Sequence, residues 1–397
     1  MNIRPDQVWT GTLNEMDAVQ KGFDRNRTVR FYDTTLRDGE QSTGVCFSAN
    51  DKFEIACKLS ELGVSRIESG FPRVSEEDTQ AVKRILAANL KSEIWGFARC
   101  MQADVDAHLE LGTRYLLCEI TTSDMKMKAF GFTREKVLGN VVSTVKYAKS
   151  KGIERLNFFA VDSTRSDLGY LRDIYSAAIE AGADEVSVVD TIGVCAPESV
   201  EYLMRQVKSW VGSSVPVHWH GHNDFGLATA SAIAAVRGGA DFVQGTINGM
   251  GERAGNADLC EVALALQFLY HVPQELDLSK AREVSDMVQR HGGYTVDSWK
   301  PVVGKYIFCR ESGGVAAQFH MPSAIEPYSA EILAADRHVA LGKKSGLANI
   351  KIKLAELGLD APPDKHGAIL EKVKTLGTTQ KRLVTDQEFR TIVAQVV

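Results

Sequence analysis

The stretch His218-Trp219-His220-Gly221-His222-Asn223-Asp224 sets three histidines at alternate positions, directly after the apolar run Val215-Pro216-Val217. In an extended strand, side chains two apart share a face, so His220 and His222 can converge on one metal ion as neutral imidazoles. His218 shares that face, but at roughly 3.3 Å of rise per residue it stands about 13 Å from His222, too far for a common ion. A metal site needs further ligands, and the chain offers charged groups at the ends of other apolar runs. The richest is Asp33-Thr34-Thr35-Leu36-Arg37-Asp38-Gly39-Glu40-Gln41. Glu68, Arg99, Asp162 and the pair Asp190-Thr191 end other runs, and the glycine-rich stretch 248–256 closes with Asn256.

These residues meet only if the elements that carry them converge. Strand-like runs occur at 29–33, 66–69, 94–98, 115–121, 156–161, 186–190, 215–222 and 242–247, alternating with helical patterns such as 53–62, 79–88, 137–148, 170–181 and 200–211. Eight strand–helix units predict an α/β fold, a closed (β/α)8 TIM barrel whose strands deliver their carboxyl ends to one rim. An open dinucleotide-binding sheet would need a glycine-rich turn after the first strand, where this chain has Thr34-Thr35-Leu36-Arg37. The expected organisation is an amino-terminal arm (1–27), a catalytic barrel (28–275), a linker that covers the active site (276–325) and a helical carboxyl-terminal subdomain (326–397) broken at Pro362-Pro363.

A rim this rich in ionisable groups is costly to bury unless the groups are paired or functional. His220, His222 and the carboxylate of Asp38 would hold a divalent ion in an open site, with Asn256 offering a further oxygen. The donor set suits Zn²⁺ or Mn²⁺, and Mg²⁺ less obviously because it prefers oxygen. Such an ion would polarise a bound carbonyl, and Arg37 beside it would stabilise the negative charge that develops. A 2-oxo acid fits this arrangement because it chelates through both carbonyl and carboxylate. Thr191 with Arg99 or Arg165 are the candidate carboxylate binders, and Gln41 and Glu68 are further substrate contacts at the rim. Trp95, Phe97, Lys126 and Lys128 would shape the acceptor pocket.

The stretch 33–41, the run His220-Gly221-His222-Asn223-Asp224, the loop 248–256 and Leu341-Gly342-Lys343-Lys344-Ser345-Gly346 closely resemble the metal-dependent Claisen-condensing synthases, namely homocitrate, 2-isopropylmalate and citramalate synthases, relatives of hydroxymethylglutaryl-CoA lyase. The resemblance spans about residues 28–350. It implies a metal at Asp38, His220, His222 and Asn256, a 2-oxo acid acceptor, an acyl-CoA co-substrate (acetyl-CoA first among them) and a homodimer. The reaction implied is an acyl transfer that forms a carbon–carbon bond, homocitrate synthase-like. Three positions depart from the family pattern. Val161 stands where a Glu ends strand 5, Val315 where a His follows Gly-Ile, and Ile325 where a Tyr precedes Glu. Glu311 and His320, with Tyr328, are local candidates for the missing proton-transfer group. The departures also support an alternative, a metal-dependent lyase or aldolase that acts on a hydroxy acid without CoA, and, more remotely, a binding protein that has kept the metal and lost the chemistry.

The remaining composition narrows the setting. A net charge of −5 argues against a nucleic-acid partner while leaving room for local basic pockets that hold small anions, and no run of 18 apolar residues suggests a membrane span. Seven scattered cysteines without a Cys-x-x-Cys pattern read as reduced thiols, and the expected location is cytoplasmic.

Overall fold

A computed structural model describes residues 4–397. The chain forms two compact units, one of Thr12–Val296 and a second of Asp297–Val397 together with the amino-terminal stretch that ends at Gly11.

In the first unit, eight parallel strands close into the expected barrel, each pairing with the next and the last with the first. They are β1 (Arg30–Asp33), β2 (Arg66–Glu68), β3 (Glu93–Arg99), β4 (Tyr115–Thr121), β5 (Arg155–Val161), β6 (Glu185–Asp190), β7 (Val217–Gly221) and β8 (Phe242–Gly245). Helices between them cover the outside, and their starts are encoded locally. Ser48 and Asp51 form a reciprocal cap on helix Ala49–Leu62, and Asp167 caps Leu168–Glu180. Alternation along the strands sends Tyr32, Trp95, Phe97, Leu117, Phe159 and Val189 into one apolar cluster inside the barrel.

Below that cluster the barrel floor holds buried charges that are paired with one another. Arg66 donates to Glu185 (2.9 Å) and Glu93 (2.9 Å), and its guanidinium lies 3.9 Å from the Phe242 ring centroid and 4.5 Å from that of Trp95. His218 closes the network, with Nε2 2.8 Å from Glu185 and Nδ1 3.3 Å from Gln244. Burial works against ionisation of Glu185, but His218 and Arg66 outweigh it and hold its pKa down at about 2. His218 therefore belongs to the layer under the rim, as its distance from His222 requires.

On the outer side of β3, Gly96 makes room for the buried His108, since a Cβ at position 96 would lie 2.4 Å from the imidazole ring. His108 is held by the carbonyl of Phe97 (2.8 Å) and the hydroxyl of Thr113 (3.2 Å).

The barrel unit runs past the expected boundary near 275 because helix Ala281–Gly292 packs on helix Ala49–Leu62. Lys58 pairs with Glu283 (2.8 Å) and His291 with Asp51 (2.6 Å) across that contact. The second unit contains a two-stranded parallel ladder, β9 (Cys309–Arg310) with β10 (His338–Val339), and helices Leu347–Glu356, His366–Gln380 and Asp386–Val396. Those three helices share a core of Leu341, Ile350, Leu354, Ile369, Val373 and Phe389, with Pro362-Pro363 at the expected break. The expected boundary near 325 falls inside this unit, where Trp9 donates to the carbonyl of Pro327 and Ser329 to that of Gln7 (2.8 Å each). All seven cysteines are free, and among the described residues no helix is long and apolar enough to cross a membrane.

Glu185→Ala removes the buried anion shared by Arg66 and His218, leaves the guanidinium only the half-buried Glu93, and should cost about 3–5 kcal/mol in urea unfolding at pH 7. Burial lowers the pKa of His108 from 6.5 to about 4 against the bonds that favour its charge. The unfolded chain therefore takes up a proton between those values that the folded chain refuses. The contribution is fully present above pH 6.5 and lost as the pH falls toward 4. The urea midpoint should drop more steeply over that window in the wild type than in His108→Gln.

Candidate active site

Strand β7 and the first loop place three ligand atoms together. His220 Nε2 lies 3.4 Å from His222 Nε2, and Asp38 Oδ2 lies 3.3 Å from the first and 3.8 Å from the second. All three side chains are buried. Asn256 comes to the same place because it forms a backbone bridge with His222. Its Nδ2 donates to the carbonyl of Met250 (3.1 Å), which leaves Oδ1 buried without a donor, as Asp38 Oδ2 is. Buried oxygens without protein partners beside two imidazole nitrogens fit a divalent cation, which would satisfy all of them at once. The loop 248–256 is tight enough to deliver Asn256 because Gly255 has φ +87° and a Cβ there would sit 2.0 Å from the carbonyl oxygen of Gly249. The following helix, Leu259–Leu269, offers no open anion site, because Asp258 accepts its first free amides from Cys260 and Glu261.

The charges support metal binding. Burial opposes ionisation of Asp38, yet Arg37 and the two imidazoles outweigh it and hold the carboxyl well below the usual carboxylate range. Burial, with the positive groups nearby, pulls His222 down to about 4 against the attraction of Asp38. At neutral pH it is the uncharged imidazole that a metal requires.

Arg37 stands beside this cluster. Its Nε donates to Glu68 Oε1, its Nη1 lies 3.5 Å from Asp38 Oδ1, and its guanidinium lies 4.2 Å from the Phe97 ring centroid. Tyr32 donates to the other oxygen of Glu68 (3.0 Å). Glu68, expected as a substrate contact, has both oxygens engaged and acts on this geometry as the clamp of Arg37. Arg37 Nη2 is buried with no acceptor, a donor left free beside the cluster.

Most of the other acids at the rim brace loops. Asp33 accepts from the amide (2.8 Å) and hydroxyl (2.9 Å) of Thr35, while burial raises its pKa to about 7. Asp190 accepts from the amides of Val194 (3.1 Å) and Cys195 (2.9 Å). The two arginines expected to bind a carboxylate already hold one each, Arg99 on Asp104 (2.7 and 3.0 Å) and Arg165 on Asp162 (2.7 and 2.8 Å). Thr191 accepts from the amide of Asp162 (2.8 Å), which leaves its hydroxyl hydrogen for another acceptor. Gln41 lines a cavity of about 750 Å³ with Arg37, Cys46, Phe71 and Phe97.

Two residues that the sequence did not single out belong to this rim. Arg253 donates to Asp224 (2.8 Å) and to the carbonyl of Thr191 (2.8 Å), so it ties together the loops after β6, β7 and β8. Glu119, a carboxylate within β4, lines a second cavity, of about 430 Å³, with Arg99 and Thr121. The signal was there to read, a charged residue near the carboxyl end of an otherwise apolar strand.

The remaining candidates lie in the second unit. Glu311 is engaged by the amide (3.1 Å) and ammonium (2.9 Å) of Lys344, His320 is exposed, and Tyr328 packs edge-on against Phe308. Ile325 and Val315 carry no titratable group. Glu326 is buried and paired with Arg337 (2.9 Å).

Calorimetric titration of chelator-stripped protein with Mn²⁺ or Zn²⁺ should find one site. Asp38→Ala or His220→Ala should weaken it by more than the roughly 10–100-fold that loss of a mere supporting residue costs. Glu68→Gln should leave it within that smaller range.

Comparisons with known proteins bear on the family. The HMGL-like family matches residues 28–288. The homocitrate synthase AksA of Methanothermobacter thermautotrophicus is 39% identical over 370 residues, 93% of this chain and 94% of the relative. The 2-isopropylmalate synthase of Methanocaldococcus jannaschii is 39% identical over 376 residues, 93% of this chain and 72% of the relative. Among solved structures, the HMG-CoA lyase of Bacillus subtilis superposes with a TM-score of 0.61 at 19% identity, covering 70% of this chain and 97% of that one, a likeness of fold. The motifs at the barrel rim and these matches point the same way, and the chain belongs to the HMGL-like family.

Proposed function

We propose that the protein is a divalent-metal-dependent acyltransferase that condenses an acyl-CoA, with acetyl-CoA as the first candidate, with a 2-oxo acid to give a branched 2-hydroxy acid, in the manner of a homocitrate synthase. The observation that carries this reading is Arg37 Nη2, a buried donor without an acceptor, next to the convergent atoms of Asp38, His220 and His222. Relatives named as synthases over 93% of the chain support it.

Asp38, His220 and His222, with Asn256 Oδ1, would hold Zn²⁺, Mn²⁺ or Mg²⁺. When bound, such an ion supplies Lewis-acid polarisation of the acceptor carbonyl. Arg37 donates to the oxygen on which charge develops, and Glu68 and Tyr32 keep its guanidinium in place while that happens. The hydroxyl of Thr191, whose hydrogen is free for an acceptor, would bind the acceptor carboxylate. Arg99 and Arg165 stay with their own acids, Asp104 and Asp162. A homodimer and a cytoplasmic setting go with this reading.

The lyase or aldolase reading keeps the same polarised carbonyl and dispenses with the thioester. It is favoured by one observation, that Val161, Val315 and Ile325 offer no proton acceptor.

Metal-loaded protein should release free thiol from acetyl-CoA only when a 2-oxo acid is also present, across a matrix of acyl-CoAs and oxo acids. Arg37→Ala should lower kcat about 10²–10³-fold. No thiol from any pair would overturn the synthase reading, and oxo acid released from a branched hydroxy acid without CoA would put the lyase in its place.

A further inference from the structure

The chemistry lacks a proton acceptor at the three positions Val161, Val315 and Ile325, and the barrel supplies one elsewhere. Leu117 of β4 faces the interior cluster, so Glu119 and Thr121, two and four residues on, point from the same face toward the carboxyl-terminal rim. In the register of β4 with β5, Thr121 pairs with Val161 and Glu119 with Phe159. Glu119 therefore starts one strand over and one same-face position below Val161, roughly 8 Å away between Cα atoms. The ring of Phe159, the partner of Glu119 in that register, lies 5.1 Å from that of His220.

Glu119 differs from every other acid of this rim. Asp33, Glu68, Asp104, Asp162 and Asp190 each accept hydrogen bonds that account for their place. Among the described residues the carboxylate of Glu119 forms neither a hydrogen bond nor an ion pair, although it is close enough to Arg37, Glu68, Lys126 and Asp38 for their charges to act on it. A partly buried carboxylate left unpaired is costly, and such groups are kept where they act. Its cavity holds a second unused group, the hydroxyl of Thr121, buried with no partner. Burial, reinforced by Glu68 and Asp38, raises the pKa of Glu119 against the pull of Arg37 and Lys126, which makes it a stronger base than an exposed glutamate.

We propose that Glu119 is the proton acceptor of the condensation, an assignment that rests on the synthase reading. Its carboxylate takes a proton from the carbon next to the thioester carbonyl. The C–H electron pair becomes the enolate and then the new bond to the carbonyl carbon of the 2-oxo acid. The carbonyl π pair moves to the oxygen that faces Arg37, that oxygen takes a proton from water to become the hydroxyl, and the proton on Glu119 passes to the hydroxide left behind, which restores the carboxylate. Water then cleaves the thioester to a carboxylate and free CoA.

The test compares the wild type with Glu119→Gln and Glu119→Asp, each metal-loaded, by thiol release and by calorimetric binding of metal and oxo acid. Glu119→Gln should lose about 10²–10⁴-fold in kcat while its metal affinity and KM for the oxo acid stay within about threefold, and Glu119→Asp should recover part of the rate. Trideuterated acetyl-CoA should slow kcat/KM of Glu119→Asp, because proton removal becomes limiting when the acceptor is set back. Three results would overturn the assignment alone: a Glu119→Gln rate within about threefold of wild type, a loss confined to KM, or an aspartate variant no better than the glutamine one. Absence of thiol release by the wild type on every substrate pair would instead defeat the synthase reading, and the assignment with it.

Discussion

A carboxylate inside a protein must find a partner, and the mouth of this barrel is organised by that requirement. Asp38 is buried between a guanidinium and two imidazoles, and its ionised form persists only because they surround it. Arg37 is in turn fixed by Glu68, which is fixed by Tyr32. Each link satisfies one polar atom and passes the constraint to the next strand. The chain of pairing stops at a few atoms, Asp38 Oδ2, Asn256 Oδ1 and Arg37 Nη2, which are buried without protein partners. Around the histidines these atoms leave room for a cation and an oxyanion, and on β4 the carboxylate of Glu119 and the hydroxyl of Thr121 stay unpaired as well.

The same rule explains the floor beneath. Arg66, Glu185 and His218 bury a cation, an anion and an imidazole in full mutual contact, and aromatic rings cover the guanidinium. That layer is inert because it is complete. His218 and His220 lie two residues apart on one strand face and differ in use for this reason alone: one has partners on both nitrogens, while the other has an Nε2 turned toward a shared centre.

Much of this was legible in the sequence because it depends on period and order. The alternation of His218, His220 and His222 specified the shared face, the repeated strand–helix units specified closure, and closure brought Asp38 and Asn256 to the histidines. What was not legible depends on pairing in space. Nothing in the sequence shows that Arg99 closes on Asp104 or Arg165 on Asp162, so both read as free cations. Glu68 read as a substrate contact because its partners Tyr32 and Arg37 sit on another strand and loop. The boundary near 275 lay too early because helix Ala281–Gly292 carries the residues that dock on helix Ala49–Leu62, a contact that a local pattern does not reveal. Glu119 is one polar residue in an apolar strand by sequence, and what distinguishes it, a carboxylate without a partner, exists only in space.

The central claim is that one open cation site at Asp38, His220 and His222 presents a 2-oxo acid to Arg37. Anomalous diffraction from crystals loaded with Mn²⁺ and a 2-oxo acid tests it most directly. The account predicts a single strong peak bounded by Asp38, His220 and His222, with the oxo acid carbonyl about 2.7–3.1 Å from Arg37 Nη2. A peak elsewhere, or an oxo acid bound away from Arg37, would contradict it.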